Sequence, residues 1–121
     1  MIKQILLVGL GGGIGSILRF LASQLTIKTS SFPIATFTVN LLGCLLIGIL
    51  IGLSLKNQWL DANMRVLLIT GFCGGFTTFS TFSLENVQMY QAGNYTGLIF
   101  YTLASVIIGF AAVWMGLSFT K

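Results

Sequence analysis

The stretch Thr70-Gly-Phe-Cys-Gly-Gly-Phe-Thr-Thr-Phe-Ser-Thr-Phe-Ser83 decides the fold. It lies inside an apolar segment that runs from Met64 to Gln91. Gly71, Gly74 and Gly75 weaken a helix there, each by roughly 1 kcal/mol relative to Ala. Hydroxyl residues follow at once: Thr77, Thr78, Ser80, Thr81 and Ser83. Phe79 and Phe82 are three apart, so on a helix they share a face. Interrupted backbone at membrane depth is tolerated only where it is buried in protein or lines a wet cavity. The stretch therefore reads as an ion pathway, with a break near residues 71–78, held in place by the rest of the chain.

The totals agree with a membrane setting. Only 7% of the 121 residues are charged and 55% are hydrophobic, against about 25% charged in a soluble domain. Mean hydropathy is +0.98. A span needs about 20 apolar residues, and four such segments use most of the chain: 4–24, 34–55, 64–91 and 97–119. The expectation is an all-α membrane protein, one integral domain of four transmembrane helices with the third broken. Four such helices make a thin bundle, so an oligomer is expected, and a dimer is the simplest closed symmetry.

Several function classes fall away. The net charge is +4, but the basic residues form no cluster, so nucleic acid is not an expected partner. The chain has no His, and hence no imidazole ligand or switch. Cys44 and Cys73 both fall in apolar segments and read as packing residues, not as a disulfide or metal site. Lys3 before an apolar run imitates a signal peptide, but three more spans follow, so 4–24 reads as a first transmembrane helix.

In the first span, glycines four apart (Gly9/Gly13 and Gly11/Gly15) suit close helix contact in lipid. They do not form a dinucleotide fingerprint, because the third glycine of that pattern is missing. Arg19 lies inside the same apolar stretch. An intramembrane charge either marks function or snorkels to the interface, and the sequence leaves both open. Pro33 suits the first turn of the second span, and Trp59 suits the interfacial belt. Thr36, Asn40 and Gly43 share one helix face, with Asn40 the amide in mid-span; it either glues helices together or donates to an anion. Tyr101, Ser105 and Gly109 form a similar stripe on the fourth span. Glu85, one turn after Thr81, is expected at the water interface. Lys3, Lys56, Arg65 and Lys121 fall on one side and Lys28 on the other. So modest a bias only weakly specifies orientation, and insertion both ways would allow an antiparallel dimer.

The polar inventory argues for an anion. Pumps and proton-coupled exporters use membrane-buried carboxylates, and here the mid-span groups are Asn, Ser, Thr, Tyr, backbone and one Arg. A Phe ring adds an electropositive edge, although a Phe pair three apart also suits plain core packing. The unpaired carbonyls of a broken helix can hold a cation.

These residues resemble the Fluc (CrcB-type) family of fluoride channels across the whole chain. The most specific match is Gly71-Phe-Cys-Gly-Gly-Phe-Thr-Thr-Phe-Ser-Thr-Phe82, with support from Arg19-Phe20 and from Thr36-Phe-Thr-Val-Asn-Leu-Leu-Gly43. Ala35 and Phe20 stand where the family often has Gly and Tyr. The resemblance implies a dual-topology antiparallel homodimer in the cell membrane that passively exports fluoride and lowers its toxicity, with no enzymatic chemistry. It implies pore roles for Asn40, Phe79, Ser80, Thr81, Phe82, Tyr101 and Ser105, and a vestibule role for Arg19. It also implies a structural Na+ held by the backbone carbonyls of Gly74 and Thr77. Two rivals remain at this level: a small dual-topology multidrug or cation exporter, which would need a carboxylate in the first span, and a structural subunit of a larger membrane complex.

Overall fold

The computed structural model describes residues 1–26, 31–56 and 60–120. Trp59, Lys28 and Lys121 lie outside the described residues. Every element among those described is helical: α1 (Ile2–Leu25), α2 (Ile34–Lys56), α3 (residues 62–76), α4 (Phe79–Gln91) and α5 (Tyr95–Phe119). Four spans are long and apolar enough to cross a membrane, the third being Ala62–Gln91, which contains α3 and α4. The chain is a multi-pass membrane protein.

The ends are chemically marked. Asp61 caps α3, its side chain accepting from the Met64 N–H at 2.9 Å. Pro33 falls one place earlier than the first-turn position expected for it; its carbonyl accepts from the Phe37 N–H at 3.1 Å. At the end of α4, Gly93 adopts φ +75°, and the N–H groups of Gly93 and Asn94 return to the carbonyls of Tyr90 and Met89. This is the left-handed glycine stop that satisfies two orphan carbonyls. Asn94 then caps α5 by accepting from the Gly97 N–H at 3.0 Å.

The spans pack as two pairs, α1 against α3 and α2 along α5, with few contacts between the pairs. Glycine decides both seams. A methyl at Gly11 or Gly15 would collide with the α3 backbone, at the carbonyls of Leu67 and Phe72 respectively. A methyl at Gly48 or Gly116 would collide with the facing helix of the α2–α5 pair. Without a hydrophobic drive between helices in lipid, such close backbone approach is what holds them. Only one of the two expected glycine pairs of α1 serves this purpose: a methyl at Gly9 or Gly13 meets nothing within 4 Å.

The bundle stays open. Its accessible surface is 7747 Å², while a compact globular chain of 13.0 kDa would expose roughly 6,300 Å². A cleft of about 630 Å³ runs between α2, α3, α4 and α5, lined by residues that include Asn40, Gly74, Thr77, Phe79, Phe82 and Ser105.

Candidate functional site

The break falls at the threonines, not at the glycines. Gly74 is helical, with φ −63° and ψ −36°, and Gly71 and Gly75 serve instead to let α1 approach. Residues 66–73 form wide π turns, a rarity that often accompanies functional sites. The helix ends at Phe76. Thr77 (φ −89°, ψ 161°) and Thr78 (φ −152°, ψ 119°) are extended, and α4 starts afresh at Phe79. Two β-branched residues in succession favour this extended geometry.

Each end of the break is satisfied by a named group. The Thr77 N–H and hydroxyl both turn back to the Cys73 carbonyl, at 3.0 and 2.8 Å. Arg19 does not snorkel; its Nε donates to the Gly75 carbonyl at 3.0 Å, with the Ser16 hydroxyl 3.5 Å from the same oxygen. A cation on the last carbonyls of a helix is favoured by the helix dipole. The Thr78 hydroxyl accepts from the Thr81 N–H at 3.1 Å and so caps α4. It also lies 3.1 Å from the Thr81 hydroxyl and 3.3 Å from that of Ser80.

Asn40 closes the gap between the two half-helices. Its Oδ1 accepts from the Thr78 N–H at 2.8 Å, and its Nδ2 donates to the Thr78 carbonyl at 3.1 Å. The side-chain amide thus pairs with the N–H and C=O of one extended residue, as a neighbouring β-strand would. The expected common face of α2 is realised: Thr36 reaches Glu85, Asn40 reaches Thr78, and Gly43 leaves room for the Thr77 methyl.

Phe79 and Phe82 lie side by side, with ring centroids 5.9 Å apart and planes at 39°. Phe79 is 79% exposed and stands in the open cleft. Phe82 meets Tyr101 at 4.9 Å in an edge contact of 60°. Tyr101 is wholly buried and donates to Glu85 Oε1 at 2.9 Å. Ser105, one turn on, borders the cleft, and its buried hydroxyl has no hydrogen-bond partner among the described residues. Both Gly74 and Thr77 line the same cleft.

Glu85 departs from expectation. It is not simply at the water interface but is held from two sides, by the Tyr101 hydroxyl on Oε1 and by the Thr36 hydroxyl on Oε2, each at 2.9 Å. It also lines a separate cavity of about 350 Å³ with Ser31, Gln88 and Asn94, at the end of the bundle where α2 begins and α4 stops. Glu85 was expected only at the interface, and Thr78 stood among the hydroxyl residues without a role of its own. Thr78 carried a signal, a hydroxyl residue immediately before a helix-forming run. Glu85 carried a weaker one, lying four residues after Thr81 on the same helix face.

Residues 6–117 match the family model described as CrcB-like protein, Camphor Resistance (CrcB). A protein of Azobacteroides pseudotrichonymphae, named a fluoride-specific ion channel FluC, is 61% identical over 123 residues, covering 100% of this chain and 98% of that protein. Proteins of the same name from Methylobacillus flagellatus and Gloeothece citriformis are 45% and 48% identical. They cover 98% of this chain each, and 94% and 97% of their own lengths.

Proposed function

The chain belongs to the CrcB family, and from that membership we propose that it is a fluoride-selective channel, passive and without covalent chemistry, that lets fluoride leave the cytoplasm and so lowers its toxicity. The observation that carries the reading is the break itself. Thr77–Thr78 ends one half-helix and starts another. The N-terminus of α4, with Phe79, Ser80 and Thr81 in its first turn, opens beside a cleft that Asn40 and Ser105 also line. Helix N-termini favour anions. Hydroxyl and amide donors can replace water around a small halide, and ring edges add positive potential without a fixed charge.

In this mechanism fluoride sheds its hydration stepwise to Asn40, Ser80, Thr81, Ser105 and the edges of Phe79 and Phe82. Tyr101 enters the polar track mainly through its edge contact with Phe82, since its hydroxyl is engaged by Glu85. The exporter reading loses its ground, because α1 offers Arg19 and no carboxylate.

The functional unit is an antiparallel, dual-topology homodimer in the cell membrane. Support comes from the open cleft: polar Thr70 and Ser80, the bare Gly74 backbone and the ring of Phe79 are all exposed in one protomer. Lipid offers no hydrogen-bond partners to the exposed polar groups at this depth. A second copy, inverted, would cover them and complete two parallel pores.

Gly74 and Thr77 fit a structural Na+. Hard cations take oxygen ligands, and carbonyls at broken-helix ends are suited to them. A methyl at Gly74 meets nothing within 4 Å, and the Thr77 N–H and hydroxyl are already turned back along α3, away from ligand duty. Two carbonyls cannot replace a full hydration shell, so the partner's pair would supply the rest. Bound there, the ion would offset negative charge at the end of α3. Arg19 holds the neighbouring Gly75 carbonyl from the α1 side and contributes positive potential to the approach.

Purified protein reconstituted in liposomes tests the reading with a fluoride electrode. Efflux is expected for fluoride and not for chloride. Equal passage of both ions, or of neither, refutes it.

A further inference from the structure

Asn40 borders the open cleft and is also bonded twice to the broken backbone. An amide side chain has two flip states with nearly identical shape. Here the partner is the backbone of one extended residue, whose donor and acceptor are fixed. The Thr78 N–H needs the Oδ1 side and the Thr78 carbonyl needs the Nδ2 side. Turning the amide over would set N–H against N–H and oxygen against oxygen. The bonded hydrogen on Nδ2 is the one on the Oδ1 side. The other Nδ2 hydrogen stays free of the clamp.

A small void of about 20 Å³ lies between α2 and α5, lined by Asn40, Ser105, Gly109 and Cys44 among others. That is room for one water-sized guest. The Ser105 hydroxyl, buried and without a partner among the described residues, lines the same void. Asn40 and Ser105 thus both line a space of one-guest size, and among the described residues the Ser105 hydroxyl has no partner there.

The geometry points to the Thr78 backbone as a specificity-determining group: by holding the Asn40 amide in one orientation, it engages the oxygen that would attract a cation and leaves an N–H which, with the proton of the Ser105 hydroxyl, can donate to one small, dehydrated anion. The inference rests on the channel reading and deepens it. The break is then a device that sets the polarity of its neighbour. Asn40 touches the ion, and Thr78 acts through Asn40 as a positioning residue. The hydroxyl of Thr78 is a separate matter, since it caps α4.

A backbone substitution isolates the claim. Thr78→Val is made once with its normal amide and once with the matching α-hydroxy acid, so that an ester oxygen replaces the N–H. Both forms lack the capping hydroxyl; they differ in the group that faces Asn40 Oδ1 and in the acceptor strength of the adjoining Thr77 carbonyl, whose effect on the proposed ion is followed separately by dimer retention. The ester form is expected to lose about tenfold or more in the ratio of fluoride to chloride flux relative to the amide form, equivalent to ~1.4 kcal/mol of barrier. Equal ratios overturn the inference. In case loss of the cap prevents folding, the unmodified dimer labelled with 15N-asparagine supplies a second readout. Of the two Asn40 side-chain protons, fluoride is expected to shift one and leave the clamped one in place, with chloride shifting neither. Movement of both protons, or of neither while fluoride flux persists, overturns it as well. Unmodified protein that passes no fluoride at all would refute the channel reading instead, without disturbing the amide clamp.

Discussion

Removing the hydroxyls that hold Glu85 tests whether this carboxyl is structural. Thr36 is 6% exposed and Tyr101 is 0% exposed, so neither hydroxyl is readily replaced by bulk water. Tyr101→Phe deletes one bond of 2.9 Å and Thr36→Val deletes the other. Each single change leaves the carboxyl one partner. Hydrogen bonds between transmembrane helices average ~0.6 kcal/mol and reach ~1.7 kcal/mol, while bonds to charged groups in soluble proteins are worth ~1.5–3 kcal/mol. Each single variant should therefore lose ~1–1.5 kcal/mol. The double variant leaves the carboxyl with neither hydroxyl, which adds a desolvation cost of ~1–3 kcal/mol. The cavity of about 350 Å³ on the other side of Glu85 admits water and reduces that figure, so the expected coupling is ~1 kcal/mol beyond additivity. Reversible unfolding in mixed detergent micelles measures all four corners of the cycle. Glu85→Gln in the double-variant background should recover part of the loss, because a neutral amide costs less to leave unpaired. Additivity within about 0.5 kcal/mol, the usual result for independent sites, would refute the claim that the two hydroxyls share one carboxyl.

Phe79→Ile and Phe82→Ile should each cut fluoride flux by at least about tenfold, as ~1.4 kcal/mol of added barrier would do, while the dimer still forms; undiminished electrode traces from both would remove the rings from the mechanism. Arg19→Ala should cost ~1–3 kcal/mol in the same unfolding assay by stripping the Gly75 carbonyl of its principal donor, whereas a loss under 0.5 kcal/mol would return Arg19 to the interface. Gly15→Ala forces α1 off α3 and should cost ~1–3 kcal/mol or more, while Gly13→Ala, with nothing within 4 Å in the protomer, should be neutral or gain up to ~1 kcal/mol from helix propensity; similar losses at both would mean that Gly13 packs against a second copy. Replacing Na+ by a large organic cation throughout purification should lower dimer retention on size exclusion, and unchanged retention would remove the ion proposed at Gly74 and Thr77.

Much of the architecture was readable in advance, because a bilayer allows few answers. Spans of about 20 apolar residues must be helical to satisfy their backbone, so four spans and a multi-pass protein followed from composition and length. The helices begin about two residues earlier than hydropathy suggested, at Ile2, Ala62 and Tyr95, because caps such as Asp61 and Asn94 set the ends and hydropathy does not register them. The position of the break was harder. Glycine is a poor helix former in isolation, which pointed to a broad range, 71–78, within which the extended residues are Thr77 and Thr78. In the folded chain Gly71 and Gly75 are where α1 comes closest, and helical backbone with no side chain is what that contact requires.

The sequence by itself determined the setting, the helix count and the chemical stock of the third span, since these depend on the transfer energy of side chains and on obligatory backbone hydrogen bonding. It also named Asn40, Phe79, Phe82 and Ser105, through local spacing on a helix face. Only the tertiary structure decided what those groups are committed to. Asn40 grips the Thr78 backbone, Arg19 reaches Gly75 across 56 positions, and Thr36 and Tyr101 converge on Glu85 from opposite directions in the chain. A hydrogen bond between distant residues leaves no periodic trace. Whether a polar side chain is spoken for or free to meet an ion depends on which neighbour the folded helices bring within about 3 Å.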